Sequence, residues 1–472
     1  MKYRKIKITY LIFTCCIGFN LQNCKNTDKP IPSIVLENAT IIIGDGSLPI
    51  ENTVVVIKDG KIIKTGIVGQ VEYSKNAKVL NLKGKWILPG FMNLHFHINT
   101  VEQEEVLKTL LQFGITTIRN AAATPEFGVQ LRDKIRTSEI VGPRMLTAGE
   151  LIDIKGGFWS DAPNAVGVET IEEMKKEVQR QAKLSVDYIK LYADLPPDLV
   201  GAGIVEAKSL GLKTMGHLGK TGWGQAAEMG INTVTHSGTA APTWELVPQK
   251  DQSRFRNFYA PHQKPQFDHT LFAPWRNLVN LDGPEFTQMV SSIVKNNVEV
   301  NPTLVICEVM FWGDDPNVRE LYEPDYAPVS LRKKWREGRH PYTASWPNES
   351  MDEAKKVFKV NQEIVKRLYN AGALITTGTD FPLPWITPGV ALHREMQILY
   401  EAGIPALDVI TIATSNGAKA LGILDDVGTV EAGKQADLVI LGADPVEDIR
   451  NTRKIEKVFL AGKVVYSIDE SN

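Results

Sequence analysis

Short runs in which apolar and polar residues alternate stand near both ends of the chain, and this spacing is typical of β-strands with one buried face. Asp59-Gly60 lies between two of these runs and suits the positive φ angles of a tight hairpin turn. Ala461-Gly462 gives the same signal near the other end. The predicted strands are Ile41 to Ile43, Thr53 to Lys58, Lys61 to Thr65, Lys78 to Leu82, Ala436 to Leu441, Lys457 to Leu460 and Lys463 to Tyr466. We therefore expect residues 33–88 and 428–466 to form one composite β-sandwich domain.

Residues 89–427 show a different pattern, in which a β-rich run is followed by a helical segment and the pair recurs along the chain. The helical segments include Ile171 to Leu184 and Met351 to Ala371. Such alternation is typical of an α/β fold with a parallel sheet, and eight strands favour a (β/α)8 TIM-like barrel inserted into the β domain. An open doubly wound sheet is the alternative, but no Gly-x-Gly-x-x-Gly follows the first strand. The eight predicted strands are Phe91 to His97, Ile115 to Arg119, Arg144 to Ala148, Tyr188 to Tyr192, Lys213 to His217, Thr233 to His236, Glu299 to Leu304 and Leu374 to Thr379.

Potential metal ligands stand at the carboxyl ends of these strands, where barrel enzymes build their active sites. His95 and His97 share one face of the first strand, about 7 Å apart along it, because side chains alternate. His217 and His236 end the fifth and sixth strands, and Asp380 ends the eighth, which barrel closure places beside the first. A single histidine at a strand end is more often a hydrogen-bonded core residue. Four of the chain's 8 histidines at one barrel face instead favour a site for Zn or a related ion.

Composition and charge narrow the range of partners. The chain of 472 residues is longer than a domain with a single hydrophobic core usually is, which agrees with one large domain and a smaller companion. Lys plus Arg number 53 against 55 for Asp plus Glu, and no long basic block follows the first ten residues, so a nucleic-acid groove is not expected. A small-molecule substrate is the expected partner, and assembly into a homo-oligomer is left open.

The first 24 residues have the profile of a leader. Basic residues precede an apolar stretch from Ile8 to Phe19 that is too short to span a bilayer as a helix, which is typical of a signal peptide. Leu21-Gln22-Asn23-Cys24 resembles the lipobox of bacterial lipoproteins, although Asn23 stands where Gly, Ala or Ser is usual. We expect a signal peptide and lipobox over residues 1–24, lipidation of Cys24, a linker over residues 25–32, and an exported periplasmic or cell-surface lipoprotein. An uncleaved N-terminal membrane anchor is the alternative.

Two motifs carry a resemblance to a known family. The run Pro89-Gly90-Phe91-Met92-Asn93-Leu94-His95-Phe96-His97 and the tail from Gly428 to Leu438 resemble the amidohydrolase superfamily, especially its imidazolonepropionase-like and prolidase-like branches. Together with the histidines of strands five and six and with Asp380, the resemblance covers nearly the whole chain. It implies a barrel that holds one or two divalent metal ions.

Lys190 distinguishes one metal from two. It shares a strand face with Tyr188 and Tyr192, and an inward ammonium beside a cation site would be repelled unless it is chemically altered. The resemblance implies that Lys190 is carbamylated to N6-carboxylysine and bridges two ions, with Zn as the expected metal. A lysine that reaches solvent or pairs with a carboxylate is the alternative. The implied ligands are His95, His97 and Asp380 for the buried ion, His217 and His236 for the more exposed ion, and Lys190 for both.

With two ions, a bridging water would lose a proton and the resulting hydroxide would attack a carbonyl carbon. Asp380 would accept the proton and pass it to the leaving group, as a catalytic acid and base. We expect hydrolysis of the amide C–N bond of a dipeptide or an N-acyl amino acid. Lactone, ester or phosphotriester hydrolysis on the same site is an alternative, and a metal-free binding barrel is another. Deamination is less favoured, because related deaminases carry a Glu shortly after the fifth-strand histidine and this chain reads His217-Leu218-Gly219-Lys220.

Candidate substrate contacts lie in the loops after the strands. Tyr192 is the expected substrate-binding residue, since it follows Lys190 on the same face toward the barrel mouth. His393 is expected to support the ligands or to be structural. Tryptophans in the long loops indicate either an apolar pocket or ordinary packing. A basic cluster would receive a substrate carboxylate or face solvent, and it comprises Arg254, Arg256, His262, Lys264, His269 and Arg276.

Overall fold

The structure is a computed structural model that describes residues 33–98, 102–157, 159–238, 243–256, 269–335, 340 and 342–468. The predicted leader, the linker and Cys24 lie outside these residues. The strands are β1 (Ile34–Ile41), β2 (Ile50–Lys58), β3 (Lys61–Ile67), β4 (Lys78–Asn81), β5 (Trp86–Pro89), β6 (Phe91–Phe96), β7 (Ile115–Asn120), β8 (Arg144–Ile154), β9 (Ala165–Val168), β10 (Tyr188–Leu191), β11 (Lys213–Gly216), β12 (Thr233–Thr235), β13 (Glu299–Asn301), β14 (Leu374–Ile375), β15 (Leu438–Leu441), β16 (Ile455–Leu460) and β17 (Lys463–Ser467).

Helices connect most of the central strands. The α-helices are α1 (Gln103–Gln112), α2 (Pro125–Arg136), α3 (Ile171–Lys183), α4 (Pro197–Ser209), α5 (Trp223–Met229), α6 (Gln252–Arg256), α7 (Phe272–Leu278), α8 (Pro284–Lys295), α9 (Leu304–Trp312), α10 (Pro316–Leu321), α11 (Val329–Trp335), α12 (Asn348–Asn370), α13 (Val390–Glu401), α14 (Ala406–Ile412) and α15 (Ser415–Leu421). In the described part of the chain, no helix combines the length and the apolar character needed to cross a membrane.

Strands from both chain ends form one mixed sheet, in the order β17-β16-β15-β5-β1-β2-β3, with β4 paired to β1. The junction is the antiparallel pair β5 and β15, in which Leu438 lies opposite Pro89. Both predicted hairpins are confirmed, because Asp59 and Gly60 have φ angles of 49° and 81° and the second turn also has positive angles. Strand pairing therefore shows that the two ends share a sheet. The two-layer sandwich and the domain boundaries stay predictions.

The first predicted strand, Ile41 to Ile43, is wrong in its bounds, because β1 ends at Ile41. The cause is an irregularity at Asn38, which has a φ angle of 63° and lies at a register shift against β2. This shift breaks the alternation of buried and exposed residues, so the sequence pattern does not reveal the whole strand.

The central strands form a parallel sheet in the order β14-β13-β12-β11-β10-β8-β7-β6, with β9 added beside β8. Its two ends are joined by main-chain hydrogen bonds, from Leu94 N to Thr377 O (2.8 Å), from Thr379 N to His95 O (3.0 Å) and from His97 N to Phe381 O (2.9 Å). The sheet therefore curls back on itself, as the predicted (β/α)8 barrel requires. This α/β architecture brings the carboxyl ends of separate strands to one face.

Several barrel strands are shorter than predicted at this face. β13 ends at Asn301 because Leu304 already begins α9, and β14 covers only Leu374–Ile375. His236 and Asp380 follow their strands with φ angles of 69° and 57°. Non-glycine residues in this left-handed region are uncommon and concentrate at functional sites.

The helices cover the outside of the parallel sheet with apolar faces. In α12, Ala354, Val357, Ile364 and Leu368 are buried and recur at helical spacing. α3 begins with a capping box, in which Thr170 accepts a hydrogen bond from Glu173 N and the Glu173 side chain accepts one from Thr170 N. The predicted helices over these two segments are confirmed, and no end differs from the prediction by more than three residues.

Candidate metal centre

His95, His97 and Asp380 meet where the first and last barrel strands join. His95 lies in β6, and His97 follows the end of that strand. Asp380 Oδ1 lies 3.2 Å from His95 Nε2 and 2.9 Å from His97 Nε2. One potential ligand atom from each of the three residues lies within 4.8 Å of the others. This is the geometry expected of side chains that converge on one cation.

His217 and His236 extend the cluster. The ring centroid of His236 lies 4.4 Å from that of His95 and 4.3 Å from that of His217. His236 Nε2 lies 4.0 Å from Asp380 Oδ2. The structure thus brings all four predicted histidines together with Asp380 at one end of the barrel.

Two of the imidazoles are oriented by groups behind them. His236 Nδ1 lies 2.8 Å from Thr303 Oγ1, and His97 Nδ1 lies 3.4 Å from the carbonyl oxygen of Ala122. Such contacts fix the ring plane and leave Nε2 directed at the shared centre. Thr303 has a φ angle of 47°, which places its hydroxyl against His236 just before α9 begins. No pattern in the sequence predicts this role of Thr303.

Lys190 lies in β10 and is buried, with 1% of its surface exposed. Its Nζ has no hydrogen-bond partner among the described residues, so the alternatives of a solvent-reaching or carboxylate-paired lysine do not fit. Burial is the main cause that lowers the pKa of Lys190 to about 7, and nearby Arg119 lowers it further while Asp380 opposes the shift. A substantial fraction of the amine is therefore neutral near pH 7.

Burial and neighbouring charges also shift the pKa values of three of the histidines and of Asp380. Burial lowers the pKa of His217 to about 3 and holds the pKa values of His95 and His236 well below the usual range for histidine. Burial alone would raise the pKa of Asp380, but the adjacent histidines outweigh it and the pKa of that carboxyl falls well below its usual value. His95, His217 and His236 are therefore neutral imidazoles and Asp380 is a carboxylate, which are the protonation states that bind divalent ions.

A cavity of about 200 Å³ opens above these residues, and it is lined by all six predicted ligands and by Tyr192. The Tyr192 ring centroid lies 4.6 Å from that of His217. The rest of the lining is mostly apolar. We call six of its residues the apolar wall: Leu151, Trp159, Ile306, Met310, Tyr342 and Leu383.

Below the ligands, the barrel interior holds a buried ion pair that was not predicted from the sequence. Arg119 Nη1 and Nη2 donate to Glu299 Oε2 (2.7 Å) and Oε1 (3.0 Å), and Arg119 Nε donates to Leu94 O (2.8 Å), beside His95. Thr233 and Thr376 each donate to Glu299 at 2.6 Å. Asn301 Nδ2 in turn donates to Thr376 Oγ1 (2.9 Å). We call these residues the buried polar layer: Arg119, Thr233, Glu299, Asn301 and Thr376.

A second unpredicted group lies beside the mouth. Asp153, at the end of β8, accepts main-chain hydrogen bonds from Ile154 (2.9 Å) and Asp194 (3.0 Å), and it is also hydrogen-bonded by the main chain of Trp159. Burial, followed by the charge of Asp194, raises the pKa of Asp153 to about 7. Asp153 therefore ties the Trp159 segment of the apolar wall to β8 and to the residues after β10.

The predicted basic cluster does not line the cavity in the described part of the chain, and His262 and Lys264 lie outside that part. Arg276 pairs with Glu353, and Arg256 lies 4.4 Å over the Trp244 ring. Arg254 stacks on Phe255, and His269 bonds Ser350. The expected role of this cluster as a carboxylate receptor is therefore not supported by its four described members.

His393 is also separate from the ligands. It is buried, and its ring nitrogens lie 3.0 Å from Thr452 Oγ1 and 3.0 Å from the carbonyl oxygen of Phe113. These contacts indicate the structural alternative. Among the described tryptophans only Trp159 lines the cavity, whereas Trp223, Trp275 and Trp346 are buried in the core, so ordinary packing explains most of them.

Comparisons with known proteins agree with this fold. A structure of a Xaa-Pro dipeptidase with bound methionine is similar over 92% of this chain and 100% of that one, with a TM-score of 0.67 and 18% identity, a likeness that concerns the fold. An imidazolonepropionase of Phocaeicola vulgatus is 34% identical over 80 residues, 17% of this chain and 19% of that protein. A 5-methylthioadenosine/S-adenosylhomocysteine deaminase of Moorella thermoacetica is 34% identical over 84 residues, 16% of this chain and 20% of that protein.

These curated relatives are therefore matched over about a fifth of their own length. The family model of the amidohydrolases matches residues 86–241 and 338–465, and these ranges contain all six predicted ligands, five in the first range and Asp380 in the second. Because the matched ranges of this family model cover more than half of the chain, the protein belongs to the amidohydrolase family.

Proposed function

We propose that this protein is a binuclear metal-dependent hydrolase that cleaves the amide C–N bond of a small substrate such as a dipeptide or an N-acyl amino acid. The observation that carries the proposal is the convergence of four histidines, a carboxylate and a buried lysine on one cavity. The relatives that support it act on C–N bonds, as the imidazolonepropionase and the deaminase do.

His95, His97 and Asp380 would hold one divalent ion, and His217 and His236 would hold a second. Divalent ions, with Zn expected, polarise a carbonyl and make water more acidic. The donor set fits such ions, because imidazoles and a carboxylate that converge at the base of one cavity are ligands that divalent ions prefer.

Lys190 would join both halves of the site as N6-carboxylysine. Its unpartnered Nζ is a nucleophile in its neutral form, and addition to carbon dioxide forms an N–C bond while one proton leaves to solvent. The product is an anion, which replaces a cationic ammonium at a position where metal ions would repel it. This chemistry also satisfies a polar atom that is otherwise buried without a partner.

Asp380 would move the proton of the reaction. Its carboxylate lies within 4.0 Å of three imidazoles at the base of the cavity, so it reaches the point where water and substrate meet. It would accept the proton of the attacking water and deliver it to the leaving nitrogen. The apolar wall limits the access of bulk water, which strengthens the interactions among these charges.

The test is hydrolysis by the purified protein after chelation and reloading with Zn or Mn, against dipeptides, N-acyl amino acids, lactones, aryl esters and phosphotriesters. We expect amide hydrolysis that the chelated protein lacks, with kcat reduced by about 10²- to 10⁴-fold in Asp380→Asn. Asp408→Asn, at a carboxylate that pairs with Tyr369 away from the cavity, is the matched control. Turnover only of lactones or esters would replace the amide assignment, and silence with every class would leave a binding barrel.

We further propose that the leader exports the chain and that Cys24 carries a lipid anchor. The motif from Leu21 to Cys24 supports this proposal. Cells fed radiolabelled palmitate should label the wild type and Cys307→Ser, a change at a buried cysteine, but not Cys24→Ser. Equal labelling of all three proteins would contradict lipidation at Cys24.

A further inference from the structure

We propose that the substrate carries a neutral apolar or aromatic group beside its scissile amide bond, and that the cavity discriminates against substrates with a free carboxylate. This inference rests on the proposed hydrolysis at the same site and names the substrate class within it. Among dipeptides and N-acyl amino acids, it favours those whose carboxyl group is masked as an amide.

The first observation is the chemistry of the apolar wall. Leu151, Ile306, Met310 and Leu383 present aliphatic or thioether surface to the cavity, and Trp159 and Tyr342 add aromatic surface. Binding of an apolar group to such a surface releases water and is favourable. A charged group would lose its hydration there without gaining a compensating interaction. An occupant that matches the wall is therefore apolar.

The second observation is the distribution of charge. Among the described residues of the lining, Asp, Glu, Lys, Arg and His side chains occur only as the six proposed metal ligands. The remaining polar side chains of the lining are neutral, namely Asn164, Tyr192 and Tyr342 with the Trp159 indole. A substrate carboxylate beyond the ligand end would lose its hydration without meeting a cation from the described residues of the lining, so anionic substrates bind less well.

The third observation is that the wall is held in place before a substrate arrives. Glu395 accepts hydrogen bonds from Leu304 N (3.0 Å) and Val305 N (2.8 Å), which fixes the start of the helix that carries Ile306 and Met310. Asp153 holds the Trp159 segment. The cavity of about 200 Å³ is also below the usual range of roughly 300–1,000 Å³ for ligand pockets, so a compact group is favoured.

Three substrates with the same scissile acyl bond test the inference on the metal-loaded protein. N-phenylacetylglycinamide is neutral and aromatic, N-phenylacetylglycine is anionic, and N-acetylglycinamide lacks the ring. We expect kcat/KM for the first to exceed that of each of the others by about tenfold or more. Equal or faster hydrolysis of the anion or of the acetyl compound would overturn the inference while leaving the hydrolase function intact.

Binding separates this inference from the function on which it rests. If none of the three compounds is hydrolysed, the proposed amide hydrolysis fails for this class. Binding of the compounds, measured by quenching of tryptophan fluorescence, then tests the preference of the apolar wall separately. Tighter binding of the neutral aromatic compound would support the wall inference. Equal binding of all three, or binding of none, would overturn it.

A charge introduced into the wall gives a second readout. Leu383→Arg places a cation at the half-buried edge of the cavity, so the ratio of kcat/KM for the anion over the neutral compound should rise by about tenfold. Leu212→Arg is the matched control, because Leu212 is also half-buried but lies at the amino end of β11 away from the cavity. An unchanged ratio in Leu383→Arg, with metal content intact by elemental analysis, would contradict the inference.

Discussion

The barrel interior differs sharply on the two sides of the proposed ligands. Below them, the buried polar layer pairs its two charged side chains, because Arg119 and Glu299 make a bidentate contact. Above them, the apolar wall carries no described charge. Hydrogen bonds are directional and hold ligand-bearing strands in register, whereas apolar contacts are tolerant of shape and suit a substrate that enters and leaves. The buried polar layer therefore holds the ligand-bearing strands in position, and the apolar wall selects the substrate.

The largest effect should come from the proposed metal ligands, which lie between these two regions. Lys190→Ala removes the proposed bridge, so elemental analysis should find one metal ion per chain instead of two. The transition state would lose several kcal/mol of stabilisation by the second ion, and kcat would therefore fall by about a thousandfold. Lys213→Ala is the control, because Lys213 is a half-buried lysine that donates to Ala420 O outside the cavity. Unchanged metal stoichiometry in Lys190→Ala would remove the bridge from the mechanism.

The next effect should come from the buried polar layer. Glu299→Leu leaves the Arg119 guanidinium buried without its partner, and this should lower the free energy of unfolding by about 3–5 kcal/mol. The double variant Arg119→Met with Glu299→Leu should recover most of that loss, since no unpaired charge remains. Denaturant unfolding of both variants measures the difference. If the double variant binds metal as tightly as the wild type, the layer does not position the ligands.

A smaller effect should follow from the contact between Thr303 and His236. Thr303→Val removes the hydroxyl that lies 2.8 Å from His236 Nδ1, and the freed ring should weaken metal affinity by about 10- to 100-fold. Competition with a chromophoric chelator gives the affinity. Thr53→Val, which removes a buried hydroxyl bonded to Ala39 O in the composite sheet, should leave the affinity unchanged. Equal affinities in all three proteins would contradict an orienting role.

The smallest effect should come from the support of the apolar wall. Asp153→Ala releases the Trp159 segment, so KM for a neutral aromatic amide should rise by about fivefold while kcat changes by less than about twofold. Asp437→Ala removes another buried carboxylate, one that accepts from Ala461 N in the composite sheet, and it should leave KM unchanged. A fall in kcat with constant KM in Asp153→Ala would place Asp153 in the chemistry instead.

The sequence predicts the ligand end of this molecule well because its signals are local. Strand alternation puts His95 and His97 on one face, and short β-rich runs that end in a ligand locate His217 and His236. Barrel topology then predicts that Asp380 lies near His95, as the structure shows. These inferences need residue type and spacing only.

The residues that support the ligands and the cavity cannot be predicted from the same local patterns, because their partners are distant in the chain. Arg119 and Glu299 are 180 positions apart, and neither has an unusual neighbourhood in the sequence. Thr303 depends on a left-handed backbone that only the junction between β13 and α9 defines. The apolar wall is assembled from a strand, a helix and several loops, so no periodic pattern marks it.

The pairing of β5 with β15 has a consequence for synthesis of the protein on the ribosome. β5 continues through Gly90 into β6, and Gly90 is required there because a Cβ atom would lie 2.0 Å from Thr116 Oγ1. The strand that carries His95 therefore emerges early, yet the edge of its neighbour β5 stays uncovered until Leu438–Leu441 is translated. A premature stop codon before β15 would leave an exposed sheet edge next to a complete set of ligands, and such nascent chains should aggregate or be degraded rather than bind metal.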